Sequence, residues 1–117
     1  MQPRSKALLW DAREAARAAQ SFIGQDEFSS YQANNLLRSA VERQLTIVGE
    51  ALAQLRTIDP ETAALVPDVS KIVGFRNVLV HGYGEIDQEL VWTAASRDSS
   101  RLISAISALL DEGAPTE

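Results

Sequence analysis

No cysteine occurs in the 117 residues, which excludes disulfides, thiolate catalysis and any zinc site built on sulfur. That absence fits a reducing compartment. No apolar run approaches the roughly 20 residues that span a bilayer. The first residues, Met1-Gln2-Pro3-Arg4-Ser5-Lys6, are not followed by a signal-peptide core. A cytoplasmic protein with no membrane association is therefore expected. Histidine is almost missing as well, with His81 the sole example. One histidine and scattered acids offer no recognised ligand spacing, so no metal site is expected. The net charge of −5 weighs mildly against a protein that coats nucleic acid, which is normally basic. It leaves room for an enzyme touching RNA at one small site, or for a protein that docks on a basic partner.

What the chain does contain is helical periodicity, with 45% hydrophobic residues and enough length for one domain over residues 1–117. From Arg4 to Ile23, the residues Leu8, Ala12, Ala15, Ala19 and Phe22 recur at spacings of four and three, and Gly24 comes next as a stop. Ser29 or Ser30 is placed to cap a second helix from about Tyr31 to Arg56, with a stripe of Leu37, Val41, Leu45, Val48, Leu52 and Leu55. After the Thr57-Ile58-Asp59-Pro60 break, Glu61 to Val66 has room for one extra short helical turn. Asp68 or Ser70 opens a third helix that Gly82 closes. Asp87 caps a fourth, from about Gln88 to Leu110, lined by Leu90, Ala94, Leu102, Ile106 and Leu109. Val78-Leu79-Val80 alone could pass for a strand, but no partner strand exists. The expected fold is an all-α, up-and-down four-helix bundle.

The third helix carries the most informative stretch, Arg76-Asn77-Val78-Leu79-Val80-His81-Gly82-Tyr83. Histidine is the side chain that titrates near neutral pH unaided, and arginine supplies a permanent forked cation suited to phosphate oxygens. Together they can cleave a phosphodiester without a metal, one moving protons and the other holding the charge that builds on phosphorus. On an ideal helix Asn77 and His81 share a face, while Arg76 lies roughly 140° away from His81. A single helix would struggle to aim both at one phosphate. Two copies packed across a two-fold axis would supply Arg76, Asn77 and His81 twice to one cleft, which points to a homodimer. A histidine before glycine at a helix end is also a common purely structural arrangement, favoured by the helix dipole.

The octapeptide resembles the R-x4-H-x-Y signature of the HepT family, toxins of the HEPN superfamily whose wider motif is R-x4-6-H. The likeness runs through nearly the whole chain. Ser39-Ala40-Val41-Glu42-Arg43-Gln44-Leu45 and Ile47-Val48-Gly49-Glu50-Ala51 are similar to the A-x-E-R and I-G-E-A segments of the family's second helix. Ile72-Val73-Gly74-Phe75 leads into the motif, and Ile86-Asp87 and Val91-Trp92 match the family's segment on its C-terminal side. Family members usually carry a tryptophan soon after the proline preceding this helix, where here Pro67 is followed by Asp68 and Val69.

The resemblance implies a HEPN-like bundle with metal-independent endoribonuclease activity on RNA, tRNA among the candidate substrates, and a role as the toxin of a toxin–antitoxin pair. His81 would then transfer the proton as a ribose 2′-hydroxyl attacks the adjacent phosphate, Arg76 would hold that phosphate, and Asn77 would orient the site. Tyr83 would receive AMP from a partner antitoxin, the minimal nucleotidyltransferase MntA, which uses ATP and magnesium; the chain itself needs no cofactor. As an alternative, the Tyr83 ring covers the helix end. Glu42 and Glu50 can brace Arg76 or another arginine, or stand with Arg43 on a solvated face. Gly49 within a helix costs about 1 kcal/mol relative to alanine, which a close helix–helix approach would explain. Trp10 and Trp92 read as packing or dimer residues. Two rival functions remain open: a non-catalytic HEPN module that binds nucleotide or RNA, and a docking subunit of a nucleotidyltransferase complex.

Overall fold

A computed structural model describes residues 1–82 and 85–111. Its seven α-helices are, in chain order, α1 (Pro3–Ile23), α2 (Phe28–Ala33), α3 (Asn35–Ile58), α4 (Pro60–Ala63), α5 (Val69–His81), α6 (Gln88–Thr93) and α7 (Ser99–Asp111). A π-helical turn over Ala94–Asp98 joins α6 to α7, so the two read as one long helix. The long elements make the expected all-α bundle, and no strand occurs among the described residues. No described helix is long and apolar enough to cross a membrane.

The stripe on α3 is buried as its spacing implies, with Val41, Leu52 and Leu55 fully enclosed and Leu37 only partly so. On α1 the stripe turns slightly: Ile23 is buried and Phe22 is exposed, because four residues from Ala19 keeps the same face better than three does here. On the last helix the buried residues begin at Val91 and Ala95, while Leu90 is 58% exposed. The wide π turn slows the rotation of the chain, and it carries the inward face from Val91 to Ala95 and Ser99 at spacings of four.

The second long helix starts later than the serines suggest. Asn34 takes an extended conformation and its Oδ1 accepts from Leu37 N at 3.0 Å, so it caps α3, while Ser29 and Ser30 fall inside the short α2. The Arg38 guanidinium donates to the Gln32 carbonyl and to Asn35 Oδ1, bracing the corner from the other side. This break lets the Tyr31 ring turn inward to complete burial. Asp87 caps α6 as expected, its Oδ1 accepting from Glu89 N at 2.9 Å. Asp68 precedes α5 in a left-handed conformation, φ 60° and ψ 27°, and its side chain makes no capping bond; the carboxylate lies 3.7 Å from Arg101 instead.

Two apolar clusters fill the bundle. The first joins α1, α3 and α7 through Leu9, Leu52, Leu55 and Ile106. The second gathers Ile23, Tyr31, Val41, Leu79 and Val91 beneath the end of α5 that carries His81. α3 lies against α1 on one side and α5 on the other, and α7 lies against α1. α5 and the α6–α7 helix stand apart, leaving between them a groove of ≈ 650 Å³ floored by Ala16, Leu45 and Val48. The cross-section is correspondingly flat, 31 Å by 18 Å.

The joint between α3 and α4 rests on one carboxylate. Asp59 accepts from the buried Ser5 hydroxyl at 2.7 Å, the Thr62 hydroxyl at 2.6 Å and Thr62 N at 3.2 Å. The Thr62 hydroxyl foremost, then that of Ser5, hold the Asp59 carboxyl below the usual aspartate range. A depressed folded pKa contributes stability that is present above the unfolded value of about 3.9 and is lost as pH falls through the folded one. Asp59→Ala is expected to lower the urea midpoint at pH 7, and its gap from the parent protein should narrow below roughly pH 4. A gap that stays constant from pH 7 to pH 3 would assign the effect to packing alone.

Candidate functional site

α5 is apolar on more than one side, yet only Val73 and Leu79 are buried, and its last six residues carry Arg76, Asn77 and His81 outward. The helix approaches α3 closely at Gly49. A Cβ built on Gly49 would lie 2.2 Å from Arg76 Cβ and 2.7 Å from Arg76 Cγ. No real side-chain atom tolerates such a distance, so glycine is what lets the arginine stem cross α3. By contrast, Gly74 on α5 has no heavy atom within 4 Å of the corresponding point. The close approach expected for Gly49 is thus present, with Arg76 as the group that needs it.

Having crossed Gly49, the guanidinium is held on two sides. Arg76 Nη1 donates to Asn77 Oδ1 at 2.8 Å, and Nη2 stands 3.7 Å from Glu50 Oε1. Arg76 Nε is buried without a hydrogen-bond partner among the described residues. Both Arg76 and Glu50 keep roughly a third of their side-chain surface in solvent, so the pair contributes little to stability. Its effect is directional: it restricts a flexible cation while leaving the guanidinium open to an incoming anion.

His81 ends α5, exposed, with Gly82 N closing the helix onto the Val78 carbonyl at 2.7 Å. Five residues separate it from Arg76, roughly 7.5 Å of rise along an ideal helix. Among the described residues no hydrogen bond or ion pair joins the two side chains. The structure therefore brings together Arg76, Asn77 and Glu50, and leaves His81 as a separate exposed group on the same helix. Tyr83 lies outside the described residues.

Glu42 makes no ion pair with an arginine among the described residues. Its Oε2 accepts from Gln88 Nε2 at 2.8 Å, and Gln88 Oε1 accepts from the Tyr31 hydroxyl at 2.6 Å. Burial first, then the negative Glu42, push the Tyr31 hydroxyl well above its ordinary pKa. Neither Tyr31 nor Gln88 stands out in the sequence, because a polar pair from separate helices leaves no trace in periodicity. Trp92 packs edge-on against Phe28 at 5.8 Å between ring centroids, as a packing residue should. Trp10 is more open, 52% exposed on α1.

The fold is the all-α, HEPN-like bundle that the resemblance implied, and Arg76, Asn77 and His81 stand on one of its helices. Residues 12–109 match the family described as "Ribonuclease HepT-like". The chain is 33% identical over 99 residues to a protein of Methanocaldococcus jannaschii named "Putative RNase MJ1380", covering 83% of this chain and 88% of that one. A second protein of the same organism, "Putative RNase MJ1216", is 29% identical over 90 residues, covering 77% of this chain and 74% of its own length. No solved structure matches the chain. The chain belongs to the HepT-like ribonuclease family.

The Gly49–Arg76 crossing gives a direct test. Alanine is the better helix former by about 1 kcal/mol, which alone would stabilise α3. The clash with Arg76 forces α3 and α5 apart, and overpacking of this kind typically costs about 1–3 kcal/mol. Gly49→Ala is expected to lower the denaturation midpoint, whereas the same change made on an Arg76→Gly background should be neutral or stabilising. Equal losses in both backgrounds would show that the two residues do not compete for one space.

Proposed function

We propose that the chain is the toxin component of a toxin–antitoxin pair and cleaves RNA without a metal, at a site shared between two copies. The observation that carries this reading is the seating of Arg76: its stem passes over Gly49 and the guanidinium of this partly exposed side chain is steered by Asn77 and Glu50, on the helix that ends in the only histidine. In the reaction, a ribose 2′-oxygen attacks the adjacent phosphorus as a neutral imidazole takes its proton. The 5′-oxygen leaves with a proton from an imidazolium, and the products are a 2′,3′-cyclic phosphate and a free 5′-hydroxyl. One His81 from each copy supplies the two protonation states. Arg76 stabilises the charge on the non-bridging oxygens.

The shared site is supported by what α5 leaves uncovered. Val78 and Val80 are 49% and 37% exposed, and Val78 and Leu90 line the open groove beside α5. Apolar surface of this kind next to the motif helix suits a two-fold contact with a second copy. Within one copy no hydrogen bond or ion pair joins Arg76 and His81 among the described residues, and a second α5 can bring one copy's histidine to the other's arginine. The toxin assignment rests on the family and on the motif, and with it goes control by AMP transfer to Tyr83 from an MntA-like nucleotidyltransferase using ATP and magnesium. An added phosphate within a Debye length of roughly 8–10 Å from the site would repel an RNA backbone.

Purified protein, dimeric by light scattering, is expected to cut RNA in the presence of EDTA and to leave cyclic phosphate ends. His81→Ala and Arg76→Ala should each lose about 10²–10⁴-fold while remaining helical. Undiminished cleavage by a folded His81→Ala protein would end the catalytic assignment, and full activity in a monomer would end the shared site.

Control is tested separately by intact mass. Incubation with the nucleotidyltransferase, ATP and magnesium should raise the mass in steps of AMP, and Tyr83→Phe should abolish the steps. Neutralisation of Tyr83→Phe without any mass change would mean inhibition by binding alone.

A further inference from the structure

Leu79 is the last buried residue of α5, so the helix end that carries His81 needs support from outside its own apolar face. That support comes from the chain that returns after the motif. Glu85 N donates to the Gly82 carbonyl at 3.0 Å, and a Cβ built on Gly82 would lie 3.2 Å from Ile86 Cγ1. The backbone just beyond His81 therefore rests on Ile86, two residues before Gln88. α6 begins at Gln88 and is only six residues long, with Val91 its one fully buried side chain. Asp87 caps this short helix, and its first residue, Gln88, ties that start to the bundle through two side-chain hydrogen bonds.

Those bonds have an enforced direction. An ionised Glu42 can only accept, so Gln88 must turn its amide nitrogen to it and its carbonyl oxygen to Tyr31. The Tyr31 hydroxyl must then donate. Tyr31 is fully buried, and a buried hydroxyl without a partner is costly, so the three groups lock one another. They stand on α2, α3 and α6, so the lock ties the start of α6 to two other helices at once.

We propose that Tyr31, Gln88 and Glu42 are positioning residues for His81, acting through the start of α6, Ile86 and Gly82. None of the three touches the reacting atoms. The relay sets where the imidazole stands relative to the arginine-held phosphate, and this rests on the reading of His81 as the proton-transfer group. A misplacement near 1 Å in such a group can cost on the order of 100-fold in turnover.

The test uses the fact that His81 is the only histidine, so its imidazole proton resonances need no assignment by mutation. Gln88→Met removes both bonds, Tyr31→Phe removes one hydroxyl and keeps the ring, and Glu42→Gln keeps an acceptor for Gln88. Ile106→Val, which trims the other apolar cluster, serves as the control for general loss of stability. At fixed pH, the His81 resonance is expected to shift or broaden in Gln88→Met and Tyr31→Phe. It should stay near its original position in Ile106→Val, and shift less in Glu42→Gln, where an acceptor remains but the bond directions are no longer enforced, than in Gln88→Met. RNA cleavage by the first two should fall about 10- to 100-fold in kcat, with KM nearly unchanged. An unaltered resonance and kcat in folded Gln88→Met would overturn the proposal, and Tyr31→Phe decides by the same readouts if Gln88→Met does not fold. The resonance is independent of catalysis. If the parent protein cleaves no RNA the ribonuclease reading fails while the relay is still judged, and if His81→Ala is inactive but Gln88→Met is not, the relay fails alone.

Discussion

The closeness of α3 and α5 at Gly49 governs much of this structure. One missing methyl group lets the Arg76 stem lie across a neighbouring helix instead of leaving α5 towards solvent. Arginine has many rotamers in solution, and a phosphate site built on a freely moving side chain would lose binding energy to ordering it. Here the stem is confined by backbone contact, and the planar head is confined by an amide on one side and a carboxylate on the other. The arrangement costs a helix-weakening glycine and a buried Nε without a partner. Those are stability losses of the sort a functional site can carry when the rest of the bundle is well packed.

The bundle meets that condition unevenly. Its first cluster is deep and holds α1, α3 and α7 through long aliphatic side chains. The second is smaller and contains Tyr31, whose hydroxyl opens the hydrogen-bonded chain to Gln88 and Glu42. Hydrogen bonds are directional where apolar contact is not, so these bonds fix how α2, α3 and α6 meet more specifically than packing alone. The open groove beside α5 leaves one side of the motif helix uncovered.

Much of the helical layout was legible in the sequence because apolar spacing and caps report on one helix at a time. The α3 stripe from Val41 to Leu55, the stop at Gly24 and the cap at Asp87 all arise from local rules. The motif was legible for a different reason, since Arg76, Asn77 and His81 carry chemistry that packing does not require. The features that stayed hidden depend on pairs of helices. Asn34 outcompetes Ser29 and Ser30 as a cap because the break there buries Tyr31, a tertiary gain invisible locally. Glu42 and Glu50 look alike in sequence, eight residues apart on one helix. One faces Gln88 and the other Arg76, because α6 and α5 pass over different parts of α3.

The π turn at Ala94–Asp98 acts as a phase shifter. Winding the same five residues as an ordinary α-helix would add about 100° of rotation between what precedes them and α7. Val91 would swing out of the core, and Gln88 would leave Glu42. The exposed leucine beside the groove and the hydrogen bonds of Gln88 therefore both depend on a turn that absorbs one surplus residue.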